Sequence, residues 1–372
     1  VIPYSTQCIE QDDIDAVVSA MKNEFLTGGP LADEFANKFA EHVGAKYAVA
    51  VSSGTAALHA ACAALDLQPG DEIITTANTW VSSANAVFYA GGRPVFADID
   101  PVTYNIDPKE IEKHINKKTR AIIPVHYAGQ PCAMDEIQEI ADQYNLKVIE
   151  DAAHGIEALY KGEKIGSLSD ITTFSFHPIK QMTTCEGGMV TTNDPEIYRK
   201  VKLFKGYGIV KDEEIMQREG RWAFDQASLG YNYRLSDVQC ALGISQLNKV
   251  RRFVARRREI AKIYDCELAG LNNIVLPKQL DCVKSSYFLY PILVEKDKHR
   301  QIYEKFRECG IGVGVSYPPV YKNSYYQKNG YRDVCCPNSE DFYAREISLP
   351  IHSKLTDDEL IYVIDIAKKI LD

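Results

Sequence analysis

Apolar positions follow two different periods along this chain. Ile14, Val17, Val18, Met21 and Phe25 fall at helical spacing after Asp12-Asp13, which predicts an amphipathic helix with an acidic first turn. Gly28-Gly29-Pro30 breaks it, and a second helix is predicted over 33–43. From Lys46 the pattern changes to short apolar, β-branched runs at 48–51, 72–74, 94–96, 121–125, 147–149, 171–176 and 189–192. Helical stretches near 54–65, 82–89, 108–115 and 134–144 separate them. Continuous apolar strands that alternate with helices predict a mostly parallel sheet covered on both faces. About seven strands then make one large α/β domain.

Beyond Asp194 the pattern turns helical. One long helix is predicted over 236–268, carrying Arg251, Arg252, Arg256, Arg257 and Arg258, a basic run that reads as a solvated face. A strand over 287–294, a helix over 298–309, a strand over 312–317 and a helix over 357–371 complete a smaller α/β unit. The expected division is an N-terminal segment with the large domain over 1–245 and a small C-terminal domain over 246–372.

Composition narrows the function. The chain has 372 residues, 45% hydrophobic and 25% charged, with a net charge of −9. It is neither disordered by composition nor a general nucleic-acid binder, which would show a basic footprint. No apolar run is long enough to span a membrane. Val1–Thr6 has no basic flank and apolar core of a secretory leader. Ten scattered cysteines without a C-x-x-C pair argue against a disulfide scaffold and for a reducing cytoplasm. No histidine pair has metal-ligand spacing, so no metal site is expected.

The common motifs of parallel sheets fail here. Gly310-Ile311-Gly312-Val313-Gly314 follows a predicted helix and precedes a strand, the reverse of the dinucleotide order. Gly314-Val315-Ser316-Tyr317-Pro318 lacks the last glycine of a nucleophile elbow, and no Walker lysine motif is present.

Open parallel sheets bind ligands at the carboxyl ends of their strands, and four polar groups fall there. Ser53-Gly54-Thr55-Ala56-Ala57 starts a helix with small residues, free N–H groups and a hydroxyl, a phosphate cradle. Thr79-Trp80 offers an aromatic face, although a lone tryptophan is usually core or interface. Glu150-Asp151-Ala152-Ala153-His154 places carboxylates after a strand, where an N-cap is the ordinary role. Ser175-Phe176-His177-Pro178-Ile179-Lys180 ends in a lysine, which alone would be a surface charge. Taken together they suit pyridoxal phosphate: a phosphate cradle, a ring-stacking aromatic, an Asp for the pyridine nitrogen and a lysine for the aldehyde.

With these words and with Glu186-Gly187-Gly188 and Gly230-Tyr231-Asn232-Tyr233-Arg234-Leu235-Ser236-Asp237, the whole chain resembles the sugar-nucleotide aminotransferases of the DegT/StrS type. The resemblance implies an aspartate-aminotransferase-like fold, fold type I of the pyridoxal-phosphate enzymes. It implies that Lys180 is the Schiff-base lysine and that Asp151 faces the pyridine nitrogen. Trp80 then stacks on the ring, with His154 beside it. Gly54, Thr55, Ala56 and Ser175 hold the phosphate, and Asn232 reaches it from the neighbouring subunit of a homodimer. Within that family the likeness is strongest to the C4 aminotransferases of pseudaminic acid synthesis. They convert a UDP-linked 2-acetamido-2,6-dideoxy-hexos-4-ulose to the 4-amino sugar. Pro3-Tyr4-Ser5, Phe25-Leu26-Thr27, Tyr127-Ala128-Gly129, Phe288-Leu289-Tyr290-Pro291 and Ile347-Ser348-Leu349-Pro350 carry that likeness. Tyr4, Leu26, Thr27, Ser316 and Tyr317 then take substrate-contacting positions, with L-glutamate as amino donor.

Ser316 stands where much of the family has a histidine, Tyr321 where many members have one, and Cys185 where glycine or alanine is commoner. The first departure bears on the sugar rather than on the chemistry. Three other readings compete. A dehydratase of this fold would have histidine at the lysine position, and Lys180 is present. A UDP-4-keto-pentose, or a GDP- or dTDP-linked keto-sugar, would keep the chemistry and change the substrate. A sugar-nucleotide-binding protein on the same fold would bind without transamination.

Overall fold

The computed structural model describes residues 1–371. Seven strands form its central sheet: β1 (Tyr47–Val51), β2 (Glu72–Thr76), β3 (Arg93–Ala97), β4 (Thr119–Ile123), β5 (Lys147–Asp151), β6 (Ile171–Ser175) and β7 (Gly188–Thr192). Their order is β1-β7-β6-β5-β4-β2-β3. Pairings among β2 to β6 are parallel, whereas β7 runs antiparallel to both β6 and β1. This is the mostly parallel α/β sheet that the apolar runs predicted.

Alternation along each strand distributes its side chains between two cores. Ala50, Ile74, Ile122, Val148 and Phe174 face one core, built against α2 (Leu31–Val43), α5 (Pro108–His114) and α6 (Met134–Tyr144). Their neighbours Val49, Ile73, Ile123, Ile149 and Ile171 face the other, covered by α3 (Gly54–Ala63), α4 (Ser82–Tyr89) and α7 (Pro195–Phe204). Both faces are buried, which is why these strands read as unbroken apolar runs.

A third core lies in the C-terminal part. Strand Tyr290–Leu293 pairs antiparallel with Glu346–Leu349, and helices Val250–Leu268, His299–Glu308 and Asp357–Leu371 pack around them. Ile2 joins this core and forms a parallel bridge to Ile311.

Four details depart from the periodicity. The N-terminal helix α1 (Gln11–Met21) ends before Phe25, which is half exposed. The helix predicted over 236–268 is two helices, Asp237–Leu247 and Val250–Leu268. Asn248 and Lys249 separate them, and Lys249 ion-pairs with Asp12 at 2.6 Å and Asp13 at 2.8 Å. The strand predicted over 312–317 reduces to a single bridge between Gly314 and Ser348. The basic run is not wholly a solvated face. Arg257 is buried, and its guanidinium donates to the carbonyls of Tyr287, Phe288 and Ile351 at 3.3, 3.2 and 2.6 Å. Burial holds its pKa down at about 10.

Candidate active site

The carboxyl ends of β1, β5 and β6 converge, and each carries one of the polar groups singled out from the sequence. After β1, Ser53 caps α3 by accepting the Ala56 N–H at 3.0 Å. The Ala56 amide is therefore engaged, while those of Gly54 and Thr55 have no partner inside the helix. A Cβ on Gly54 would lie 2.8 Å from the Ser175 Cβ, so only glycine lets the start of α3 sit against the end of β6. A Cβ on Gly188 would meet the Ser53 carbonyl at 2.4 Å, closing the same corner from β7. Gly54, Thr55 and Ser175 are thus brought together as a small-residue cradle at a helix N-terminus.

At the end of β5, Asp151 is buried. The Ser83 hydroxyl donates to one carboxylate oxygen at 2.7 Å, and the Ala153 N–H to the other at 3.1 Å. Thr79 holds Ser83 in turn at 2.7 Å. Beyond Asp151, the His154 ring stacks on Phe288 with centroids 4.0 Å apart. Its Nδ1 is buried with no hydrogen-bond partner. Burial, then Lys180 and His126, hold its pKa well below the ordinary histidine range.

Lys180 leaves the loop after β6, its N–H donating to the His177 carbonyl at 2.9 Å. Its Nζ lies 4.2 Å from the centre of the Phe288 ring. The side chain keeps some accessible surface, but the ammonium is enclosed. That enclosure lowers its pKa to about 8, against an opposing pull from Asp151 and with a further lowering from Arg257. The amine thus sits across from a carboxylate and beside an aromatic face.

Trp80 is not in the core. It is 60% exposed, with its ring 5.7 Å from that of Tyr317 in an edge-to-face arrangement. Tyr317 also lies 6.4 Å from the His154 ring. Ser316 is buried, and the Tyr4 ring packs on Gly314 with its hydroxyl buried and unpartnered. Tyr4, Ser316, Tyr317 and Trp80 therefore form one wall next to Lys180 and His154. Leu26, Thr27 and Asn232 are not brought to that wall within one chain. They are exposed, and the Asn232 backbone pairs with Gly206.

Sequence reasoning overlooked several contributors. Ser83 orients Asp151, and only its place one turn after Thr79 hinted at it. Phe288 underlies both His154 and Lys180, and it lies in a word quoted above only for family likeness. Glu346 is a carboxylate in a short strand where it alternates with the apolar Ile347 and Leu349, a mismatch visible in the sequence.

Over residues 7–368 the chain matches the DegT/DnrJ/EryC1/StrS aminotransferase family. The chain belongs to that family. It is accordingly an enzyme of the transaminase class, as the cradle, carboxylate and lysine suggest. A relative from Campylobacter jejuni, the UDP-4-amino-4,6-dideoxy-N-acetyl-beta-L-altrosamine transaminase, is 40% identical over 377 residues, covering 100% of this chain and 98% of the relative. Among solved structures, Helicobacter pylori PseC, an aminotransferase involved in the biosynthesis of pseudoaminic acid, superposes with a TM-score of 0.94 at 33% identity. That match covers 100% of this chain and 99% of the other. The putative sugar aminotransferase Spr1654 from Streptococcus pneumoniae in its PMP form gives a TM-score of 0.94 at 30% identity, with 100% and 99% covered. A PLP form of the same protein also matches.

The family and these PLP and PMP forms imply pyridoxal phosphate, and the residues present fit it. At the Gly54 cradle, amides with no partner inside the helix lie beside the Ser175 side chain at the start of α3. Asp151 is an oriented carboxylate, His154 has an unsatisfied ring nitrogen, and Lys180 is an enclosed amine with a depressed pKa. Among the described residues no helix is long and apolar enough to cross a membrane.

Proposed function

We propose that this chain transfers an amino group from L-glutamate to C4 of a UDP-linked 2-acetamido-2,6-dideoxy-hexos-4-ulose, the step that leads to pseudaminic acid-type surface glycans. The observation that carries the reading is the enclosed Lys180 amine facing Asp151 at the converging strand ends. The relatives named above supply the sugar.

Bound in this site, pyridoxal phosphate supplies an electron-withdrawing ring that makes an amino acid's α-proton removable and stores the amino group between half-reactions. The chain's own residues do the rest. Lys180 Nζ holds the cofactor and moves protons. A base must be neutral, and with a pKa of about 8 roughly a tenth of Lys180 is neutral at pH 7. An ordinary lysine would offer less than a thousandth. Asp151, fixed by Ser83, would pair with the pyridine nitrogen and keep it protonated. The amides of Gly54 and Thr55 and the hydroxyls of Thr55 and Ser175 would hold the phosphate, whereas the Ala56 amide is taken by Ser53. Trp80 and His154 would supply aromatic contacts to the ring.

Asn232 of the partner subunit completes the phosphate site in a homodimer. Its exposure, and that of the nearby apolar residues Leu229 and Tyr231, supports a surface that a second copy covers. Tyr4, Ser316 and Tyr317 line the sugar side of the site, and Leu26 and Thr27, exposed on the single chain, would join it in the assembled homodimer. All ten cysteines are free thiols, which supports a reducing cytoplasm as the setting.

The test is turnover with L-glutamate and a panel of UDP-4-keto-6-deoxy-N-acetyl sugars, UDP-4-keto-pentose and dTDP- or GDP-linked keto-sugars. The highest kcat/KM is expected on the UDP-linked N-acetyl sugar. A higher value on the pentose would overturn the substrate assignment.

A further inference from the structure

Glu346 opens strand Glu346–Leu349 and is completely buried. The rest of the strand and its partner Tyr290–Leu293 are buried too, so a hydrocarbon would suit the position better. Among the described residues no cation forms an ion pair with its side chain. Its Oε2 accepts the Ser316 N–H at 2.7 Å, and its Oε1 is hydrogen-bonded to the Ser348 hydroxyl. The Ser316 carbonyl accepts from the Tyr127 hydroxyl at 2.6 Å. The peptide units flanking Ser316 are therefore gripped from two sides, by Glu346 in the C-terminal core and by Tyr127 at the end of the large sheet. Tyr317 follows directly and presents its ring to Trp80 and His154.

We propose that Glu346 is a positioning residue for the sugar side of the site, setting the Ser316 backbone and through it the Tyr317 ring against Trp80. The proposal rests on the keto-sugar reading above and adds a residue to it. Glu346 touches neither Lys180 nor Asp151, so it governs sugar binding and leaves the glutamate half-reaction alone. Burial pushes its pKa up to about 8, so at neutral pH it is mostly the uncharged acid. An amide of the same shape can then take its place: the glutamine carbonyl accepts from Ser316, and the amide NH2 donates to the Ser348 hydroxyl as the acid O–H does.

The experiment compares Glu346→Gln and Glu346→Asp in the cofactor-loaded enzyme. Glu346→Asp withdraws the carboxyl by one methylene and releases Ser316. Glu346→Asp is expected to raise the keto-sugar KM about tenfold, with kcat and the rate of the glutamate half-reaction unchanged. Glu346→Gln is expected to keep the wild-type KM. Tryptophan emission gives a readout that does not depend on turnover. The chain has two tryptophans, and Trp222, 82% exposed, contributes a constant background. Trp80 emission should shift in Glu346→Asp and not in Glu346→Gln. A Glu346→Asp enzyme with wild-type KM and emission overturns the proposal, as does an equal loss in both half-reactions. If Glu346→Asp does not fold, Tyr127→Phe releases the same segment from the other side, with the same KM rise and emission shift expected and their absence overturning the proposal. If no keto-sugar is turned over even by the wild type, the substrate reading fails, while the emission comparison still decides the role of Glu346.

Discussion

Replacing Lys180 with methionine should abolish transamination and at the same time make the cofactor-free protein more stable at neutral pH. The folded-state pKa of Lys180 is about 8, against roughly 10.4 for an exposed lysine. A folded lysine with a depressed pKa binds fewer protons than its unfolded counterpart between these two values. Below pH 8 the enclosed ammonium therefore carries its full penalty. The gap of about 2.4 pKa units corresponds to roughly 3 kcal/mol as an upper bound, since the stem keeps some accessibility. As pH rises from 8 to 10.4 the folded lysine gives up its proton and the penalty disappears. Methionine has similar volume, no charge and a favourable contact with the Phe288 ring. Urea unfolding of both cofactor-free proteins at pH 7, 8, 9 and 10 should favour methionine by up to about 3 kcal/mol at pH 7, a difference that shrinks toward zero by pH 10. Titrating groups that do not interact with Lys180 are common to both proteins and cancel in the difference. A difference that does not change with pH, or a methionine variant less stable at pH 7, would refute the claim that enclosure depresses this amine.

Three further substitutions test the parts around it. Gly54→Ala places a methyl 2.8 Å from the Ser175 Cβ and should weaken pyridoxal phosphate binding by about tenfold or more, measured by equilibrium titration. Ser83→Ala removes the 2.7 Å hydrogen bond to Asp151. Loss of such a bond to a charged group is worth about 1.5–3 kcal/mol, and the glutamate half-reaction should slow by at least tenfold in stopped-flow. Arg257→Met strands three backbone carbonyls and should cost about 3 kcal/mol in urea unfolding. It also removes a nearby cation, so the alkaline-rising limb of the rate profile, set by Lys180, should move to higher pH.

The strand ends that hold the site were legible because they sit between unbroken apolar runs and small-residue helix starts. Asp151 follows Val148 and Ile149, Gly54 follows Val49 and Val51, and Ser175 closes β6. Each runs directly into the cofactor-facing loop, so local sequence carried the geometry. What escaped depends on partners distant in sequence. Arg257 looked like one more cation on a basic face, and its burial is set by carbonyls at 287, 288 and 351. The break at Asn248–Lys249 is hidden by an apolar period that runs on from Ile244 through Leu247 and Val250 to Val254. It is drawn by acids at 12 and 13, more than 230 residues away. The 312–317 stretch has strand-like residues, but its segment is taken up by the Glu346 and Tyr127 contacts instead of a ladder. Leu26, Thr27 and Asn232 are exposed in the single chain, and the roles proposed for them depend on a second copy, which no single-chain pattern can specify.

The most direct measurement is the absorbance of purified protein reconstituted with pyridoxal phosphate, recorded before and after L-glutamate and again after the UDP-linked keto-sugar. The visible band of the lysine-held cofactor should disappear with glutamate, with one 2-oxoglutarate released per site, and return when the sugar is added. Lys180→Ala should show neither change. A wild-type spectrum that glutamate leaves untouched, or an alanine variant that cycles normally, would contradict the assignment of Lys180 and the transaminase mechanism built on it.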